Sequence, residues 1–185
     1  MPFVGALFYF SKAPRYIPMP FIEAKLFALA LFTIILPILL YYLLKTTRQV
    51  SSVHLSSTKE RIIPLILNAI IVLLITQRIV TVNELTELYF FFIGILLSTM
   101  ACLILAILKF KASIHMIGAG GILMFFIALS IHFSINIIGT IALFFIISGA
   151  IATSRLHMKA HTNIELIIGF FVGLLPQLIL LNYWL

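Results

Sequence analysis

The last third of the chain contains a short polar segment between two long apolar stretches. In this segment Ser154 and Arg155 are followed by His161, and a carboxylate, Glu165, comes four residues after that histidine. The chain has five acidic residues, and Glu165 is the only one after Glu87. A lone carboxylate beside a histidine, an arginine and a lysine stands out in so apolar a chain. This segment is therefore the first candidate for a reactive site.

A second polar segment precedes another apolar stretch and contains Lys111, Ser113 and His115. Ser113 fits the N-cap position of a helix, and Thr162 with Glu165 fits a capping box that opens a later helix. The amino terminus of a helix favours anions. Two helix starts that each carry a histidine, facing arginines and lysines, therefore predict a phosphate-binding site.

The composition is that of a membrane protein. The chain is 63% hydrophobic and 9% charged, with a mean hydropathy of +1.26, whereas about a quarter of the residues of a soluble domain are charged. The net charge of +7 is spread thinly over the chain, which argues against nucleic-acid binding. Cys102 is the only cysteine, so an intramolecular disulfide is excluded.

Six segments are long and apolar enough to cross a membrane, since a span needs roughly 20 mostly apolar residues. They are residues 26–44, 62–80, 88–108, 113–131, 137–153 and 164–182. Four prolines in residues 1–25 argue against a long helix there, and the aromatic stretch 3–10 predicts a segment that lies on the membrane surface. The predicted fold is an all-α integral membrane six-helix bundle over residues 26–185, preceded by a short interfacial N-terminal segment over residues 1–25.

Polar and small residues inside the predicted spans indicate contacts between helices. Asn68 should face protein and not lipid. Pro64 is predicted in the first turn of the second span, where proline costs no helix hydrogen bond. Glycines in the fourth and sixth spans predict the close approach of two helices, and they are Gly118, Gly120, Gly121, Gly169 and Gly173.

Six spans place the first, third and fifth connections on one side of the membrane. These connections contain the polar groups that could do chemistry, namely Lys59, Arg61, Lys111, Ser113, His115, Arg155, His157, His161 and Glu165. Ionisable groups are costly in lipid and tend to mark functional sites when they collect near membrane depth. The span count therefore predicts that these groups converge at one face.

At this point a family resemblance becomes visible. One pattern in the chain is similar to the third signature of the type 2 phosphatidic acid phosphatase superfamily. It consists of Ser154-Arg155, five further residues, His161, three further residues and then an acid. Glu165 stands where that signature has aspartate. The resemblance covers roughly residues 55–170, and the order of the motifs, the six-helix plan and the one-sided placement agree with it.

The other two signatures of that superfamily are matched more loosely. Ser113 and His115 resemble the serine and histidine of its second signature, Pro-Ser-Gly-His, with other residues in place of proline and glycine. Lys59 and Arg61 resemble a degraded first signature, in which a lysine is normally followed after six residues by Arg-Pro. Lys111 could supply the cation that the first signature lacks.

The resemblance implies a phosphatase mechanism that needs no metal or cofactor. His161 would attack phosphorus while Glu165 orients its ring, and His115 would protonate the leaving oxygen and then activate water. The implied phosphate ligands are Arg155, Ser113, Arg61, Lys111 and Lys59. The implied substrate is a lipid phosphate or diphosphate whose tail stays among the membrane lipids, and no nucleic-acid or protein partner is indicated.

Other interpretations stay open at the level of sequence. His157, His161 and Glu165 are spaced by four residues, so on one continuous helix they would share a face and could bind zinc. A helix start at Thr162 would break that face. A relative that has lost activity could instead bind lipid phosphate or act as a scaffold. Glu165 could also serve only as a helix cap.

The basic residues give a divided signal about sidedness. One side carries Lys12, Arg15, Lys25 and Arg78, and the side of the site carries Lys45, Arg48, Lys59, Arg61, Lys109, Lys111, Arg155 and Lys159. The bare count, four against eight, places the site in the cytoplasm by the positive-inside rule. Without Arg61, Lys111 and Arg155, which are candidate site residues, the count is four against five. The resemblance implies the non-cytoplasmic face, and we expect the site there.

Overall fold

The apolar segments of the chain fold as long α-helices, because a helix satisfies its backbone hydrogen bonds internally where no water is available. The computed structural model describes residues 1–47 and 58–185. These residues form seven helices and no strand. The predicted all-α class is therefore confirmed.

The helices follow one another with short connections. They are α1 (Pro2–Lys12), α2 (Met19–Thr46), α3 (Thr58–Arg78), α4 (Thr86–Ile107), α5 (Ile114–His132), α6 (Ile138–His157) and α7 (Asn163–Leu180). A π-helical turn, Leu31–Ile35, interrupts α2, and a 3₁₀ turn, Leu181–Tyr183, follows α7. Helices α2 to α7 are each long and apolar enough to cross a membrane, so the chain is a multi-pass membrane protein.

The first two spans begin earlier than the sequence predicted. Helix α2 starts at Met19 and not at residue 26, because Pro20 lies in its first turn, where a proline is tolerated. Helix α3 starts at Thr58, so Pro64 lies inside the helix and its predicted place in the first turn was wrong. Pro64 has no N–H to donate to the carbonyl of Glu60. Residues 48–57 of the predicted first connection lie outside the described residues.

Helices α5 and α7 make the most extensive contact in the bundle, and glycines allow it. A Cβ on Gly173 would stand 1.9 Å from the carbonyl oxygen of Ile117, and one on Gly120 would stand 2.1 Å from a carbonyl oxygen of α7. A Cβ on Gly169 would stand 2.8 Å from the carbonyl oxygen of Ser113. The two backbones thus touch directly, as the glycine pattern predicted.

The remaining helices pack around this pair. Helix α4 contacts α3 and α7, and Gln177 of α7 donates a hydrogen bond from Nε2 to the carbonyl of Phe91 at 2.9 Å. Helix α6 packs mainly against α5. Only 6% of the most apolar part of α2 and 6% of that of α6 is buried, so these two helices form the outer wall of the bundle.

The N-terminal helix α1 packs against the bundle with one face buried. Ala6 and Tyr9 are completely buried, and the ring of Phe8 lies 4.1 Å from that of Phe126 in α5. Pro2 occupies the first turn of α1, and the other three prolines of this region follow its end. The predicted interfacial segment therefore contains a helix that packs against the core, and its last residues already belong to α2.

A buried carboxylate fixes α1 at the end of the bundle where α4 begins. Glu87 is 5% exposed, and its Oε2 accepts hydrogen bonds at 2.9 Å from Tyr9 and at 2.9 Å from Arg15. His132 Nε2 lies 3.3 Å from Oε1. Burial and the adjacent carboxylate raise the pKa of Tyr9, so its hydroxyl stays protonated and donates. Two hydrogen bonds and a nearby imidazole thus offset the cost of burying one charge.

The contact between α5 and α7 predicts that Gly173→Ala destabilises the protein. The new Cβ would overlap the Ile117 carbonyl, so the helices must separate, at a cost of at least ~2 kcal/mol. Loss of helical circular dichroism on heating in detergent measures the change. Gly149→Ala is the matched control, because a Cβ there meets nothing within 4 Å. Equal stability of the two variants would contradict the packing described.

The Glu87 cluster predicts that Glu87→Gln loosens α1. The amide keeps the shape but loses the charge that Arg15 and Tyr9 bind, which costs about 1–3 kcal/mol. Limited proteolysis of the segment between α1 and α2 should become faster. Glu84→Gln is the control, since Glu84 pairs with Lys25 at the exposed edge and such pairs contribute about 0–1 kcal/mol. Cleavage at the wild-type rate in both variants would exclude this role for Glu87.

Candidate active site

The starts of α3, α5 and α7 lie at the same end of the bundle. Arg61 Nη1 in α3 donates to the carbonyl of Ala112 at 2.7 Å, just before α5 begins. Lys111 Nζ donates to the carbonyl of Ala160 at 3.2 Å, just before α7 begins. These contacts bring together three polar segments that are far apart in the chain, as the span count predicted.

The start of α7 holds His161 and Glu165 in a fixed arrangement. Thr162 and Glu165 form the predicted capping box, in which each accepts a hydrogen bond from the backbone N–H of the other. The same carboxylate oxygen that accepts from Thr162 N at 3.1 Å also lies 2.9 Å from His161 Nδ1. Oε2 of Glu165 therefore both caps the helix and orients the imidazole.

The surroundings of His161 keep its imidazole neutral. Its side chain is 6% exposed. Burial lowers the pKa of His161, and the positive charges of Arg61 and Lys111 lower it further, while the hydrogen bond and charge of Glu165 oppose them. Because Glu165 can only accept, Nδ1 carries the proton and Nε2 keeps its lone pair. The ring thus has the tautomer that a nitrogen nucleophile needs.

A second imidazole is held by an arginine. Arg155 Nη2 donates to His115 Nε2 at 2.9 Å, joining the last turn of α6 to the first turn of α5. Helix α6 continues to His157, past its predicted end at residue 153. The Nε of Arg155 is buried and has no hydrogen-bond partner among the described residues. A phosphate oxygen would satisfy this donor.

Ser113 occupies the predicted N-cap position of α5, but its side chain does not cap the helix. The residue is 0% exposed, and its hydroxyl has no hydrogen-bond partner within residues 1–47 and 58–185. Its backbone N–H donates to the carbonyl of Glu165 at 3.2 Å, which places it beside the start of α7. A buried hydroxyl without a partner is uncommon and costly, and this one could donate to a ligand.

The other predicted phosphate ligands differ in position. Arg61 is 4% exposed and acts electrostatically on both His161 and Glu165. Lys111 is half-buried and acts on His161. Lys59 is exposed in the first turn of α3. The structure thus groups Arg61 and Lys111 with the imidazoles, whereas Lys59 lies at the outer surface of this end.

The geometry required by the zinc hypothesis is not present. His157 ends α6 and is exposed, and α7 starts only at Asn163, so His157, His161 and Glu165 do not share a helix face. In the part of the chain that the structure describes, no group of three or more His, Cys, Asp or Glu side chains could hold a metal ion.

Two cavities of about 310 and 290 Å³ adjoin the candidate site, and one is lined by Arg61 and the other by His115. Polar side chains inside the membrane-spanning helices line both cavities. Asn68 Nδ2 donates to Thr99 Oγ1 at 3.1 Å, which confirms that Asn68 faces protein. The sequence analysis did not select Ser98, Thr99 or Gln177, although a polar residue inside an apolar span is the signal that would have found them.

Comparison with known proteins identified no relative of the chain. No protein-family model matches the chain, no curated protein matches it, and no solved structure matches it. The resemblance to the type 2 phosphatidic acid phosphatases thus stays a prediction from the residues of the motifs.

Proposed function

We propose that the chain is a membrane phosphatase that hydrolyses a phosphomonoester or diphosphate on a lipid headgroup through a phosphohistidine at His161. The observation that carries this proposal is the oriented His161–Glu165 pair at the same end of the bundle as Ser113 Oγ and Arg155 Nε, two buried donors that have no hydrogen-bond partner among the described residues. A nucleophile with a fixed tautomer next to unused donors is the arrangement that phosphoryl transfer requires. We place the site on the non-cytoplasmic side, as the resemblance implies.

The first step is attack of the His161 Nε2 lone pair on phosphorus, with cleavage of the bond to the lipid oxygen. Glu165 stabilises the positive charge that develops on the ring. The leaving oxygen takes a proton from His115. Arg155 Nη2 donates to His115 Nε2, and a bound phosphate would draw the guanidinium away and free that nitrogen to carry the proton.

In the second step His115 accepts a proton from water, and the oxygen of that water attacks the phosphohistidine. The bond between phosphorus and Nε2 breaks, and inorganic phosphate leaves. In both steps charge builds up on the equatorial oxygens. Arg155, Arg61, Lys111 and the Ser113 hydroxyl, together with the amino termini of α5 and α7, would stabilise this charge.

The lipid nature of the substrate is supported by the surroundings of the site. Polar groups from three helix starts meet at the end of a bundle whose spans are apolar. Both adjoining cavities are lined mainly by apolar side chains. A headgroup could therefore reach His161 and Arg155 while its hydrocarbon stays at the depth of the membrane.

Purified protein in detergent should release phosphate from a panel containing phosphatidate, phosphatidylglycerol phosphate and polyprenyl diphosphate, in the presence of EDTA. His161→Ala should lower kcat by at least about 10³-fold, since a nucleophile is removed. His157→Ala is the matched control, because His157 is exposed in the last turn of α6 and its replacement should change kcat by about twofold or less.

Three outcomes would contradict the proposal in different ways. Turnover that EDTA abolishes and zinc restores would assign the chemistry to a metal. Full activity of His161→Ala would exclude the phosphohistidine. Saturable binding of lipid phosphate without turnover of any lipid in the panel would identify a binding protein that has lost catalysis.

The pH dependence of kcat/KM should report on His161. Its pKa is lowered from the ordinary value of 6.5, and only the neutral ring attacks, so activity should fall with acidity only below pH 6.5. Glu165→Gln removes the group that raises this pKa. It should move the acid limb to still lower pH and reduce kcat by about 10⁴-fold.

Lys111→Gln provides the opposite test of the pH profile. The ammonium of Lys111 lowers the pKa of His161, so its removal should move the acid limb to higher pH. Opposite shifts in the two variants are expected only if the limb belongs to His161. A wild-type limb above pH 7, or shifts in the same direction, would assign the limb to another group.

A further inference from the structure

The two cavities beside the candidate site are neighbours that share a wall of lining residues. The outer cavity, of about 310 Å³, lies between α2, α3, α4 and α5, and it is lined by Leu40 and Arg61. The inner cavity, of about 290 Å³, lies between α1, α3, α4, α5 and α7, and it is lined by His115 and Gly118. Each cavity therefore extends from a residue of the site into the apolar interior.

The shared wall is polar in its deeper part. Five residues line both cavities, namely Asn68, Ser98, Thr99, Ile114 and Ile117. The hydroxyls of Ser98 and Thr99 donate to carbonyls one turn earlier in α4, at 2.8 Å in both cases. The side-chain amide of Asn68 has two N–H groups, and it donates one of them to Thr99. Asn68 is thus the donor that the wall can offer to a ligand.

Each cavity has room for the upper part of a lipid chain. At the ~30 Å³ that a water molecule occupies in the liquid, and with a methylene group of similar size, each would hold about ten methylene groups. Asn68 lies seven residues after Arg61 on α3, which is roughly 10 Å along the helix axis. A polar group at that depth would meet the part of a glycerolipid where the two ester-linked chains diverge below the phosphate.

We propose that the two cavities bind the two hydrocarbon chains of a diacyl lipid phosphate, one on each side of the wall, with an ester carbonyl accepting a hydrogen bond from Asn68. This inference rests on the proposed function in that it takes the phosphate to lie between Arg61 and His115. A single polyprenyl chain would leave one cavity unfilled, and it would cover the polar wall without supplying it with an acceptor.

Binding is measured with the purified full chain carrying His161→Ala, which prevents turnover, by competition against a fluorescent lipid phosphate. The competitors are dioleoyl phosphatidate, its one-chain lyso form and a polyprenyl phosphate. The two-chain lipid should bind at least tenfold more tightly than either of the others, because its second chain buries additional methylene groups.

Variants that fill one cavity test the assignment of the chains. Gly118→Leu adds a side chain to the inner cavity, where a Cβ meets only the side chain of Met1. Leu40→Trp fills the outer cavity. Each should weaken binding of the two-chain lipid about tenfold, by displacing roughly two methylene groups. The one-chain lipid can use the other cavity, so only the double variant should weaken its binding.

Matched controls place the same side chains outside the cavities. Gly149→Leu adds its side chain where a Cβ meets nothing within 4 Å, and Leu39→Trp changes an exposed neighbour of Leu40. Both should bind all three lipids as the parent does. Asn68→Leu should remove any preference for the diester over the corresponding diether lipid. Equal binding of diester and diether by the parent would overturn the role of Asn68.

The outcomes separate this inference from the proposed function. Equal affinity for one-chain and two-chain lipids, or equal weakening of both by a single filled cavity, would overturn the inference even if phosphate is released. The expected binding pattern in a protein without turnover would support the inference and refute the phosphatase. Failure of all three lipids to bind would overturn both.

Discussion

The direct contact between the backbones of α5 and α7 determines where the reactive groups lie. Glycine at positions 120, 169 and 173 removes the side chains that would separate the two helices. As a result the N–H of Ser113, at the start of α5, reaches the carbonyl of Glu165, at the start of α7. Two helix amino termini therefore meet, and their partial positive charges favour an anion between them. The imidazoles, Arg61 and Lys111 are arranged around that meeting point.

The charged groups at the two ends of the bundle have different hydrogen-bond partners. At one end Glu87 is matched by Tyr9, Arg15 and His132, so its charge is fully used in holding the fold together. At the other end Arg61 acts electrostatically on Glu165, and that carboxylate is already engaged by the helix cap and by His161. Among the described residues, Ser113 Oγ and Arg155 Nε have no hydrogen-bond partner there. These two donors distinguish the candidate site from the cluster around Glu87.

The sequence predicted what depends on local pattern. The six spans follow from hydropathy, and the Thr162–Glu165 capping box follows from residue types at a fixed spacing. It did not predict α1, because eleven residues are too few for a span and their burial depends on partners in α4 and α5. The contact between Arg155 and His115 joins residues 40 positions apart. Such contacts, and the shared wall of the cavities, arise only when the helices pack.

The position of α1 has a consequence for how the chain is assembled. Tyr9 and Glu87 are separated by 78 residues, and Phe8 packs against Phe126, which is synthesised later still. During synthesis the apolar, aromatic helix α1 therefore has no partners while α2 to α5 enter the membrane. Exposed apolar surface of this kind is prone to wrong association. Helix α1 can therefore reach its native place only after α4 and α5 have been made.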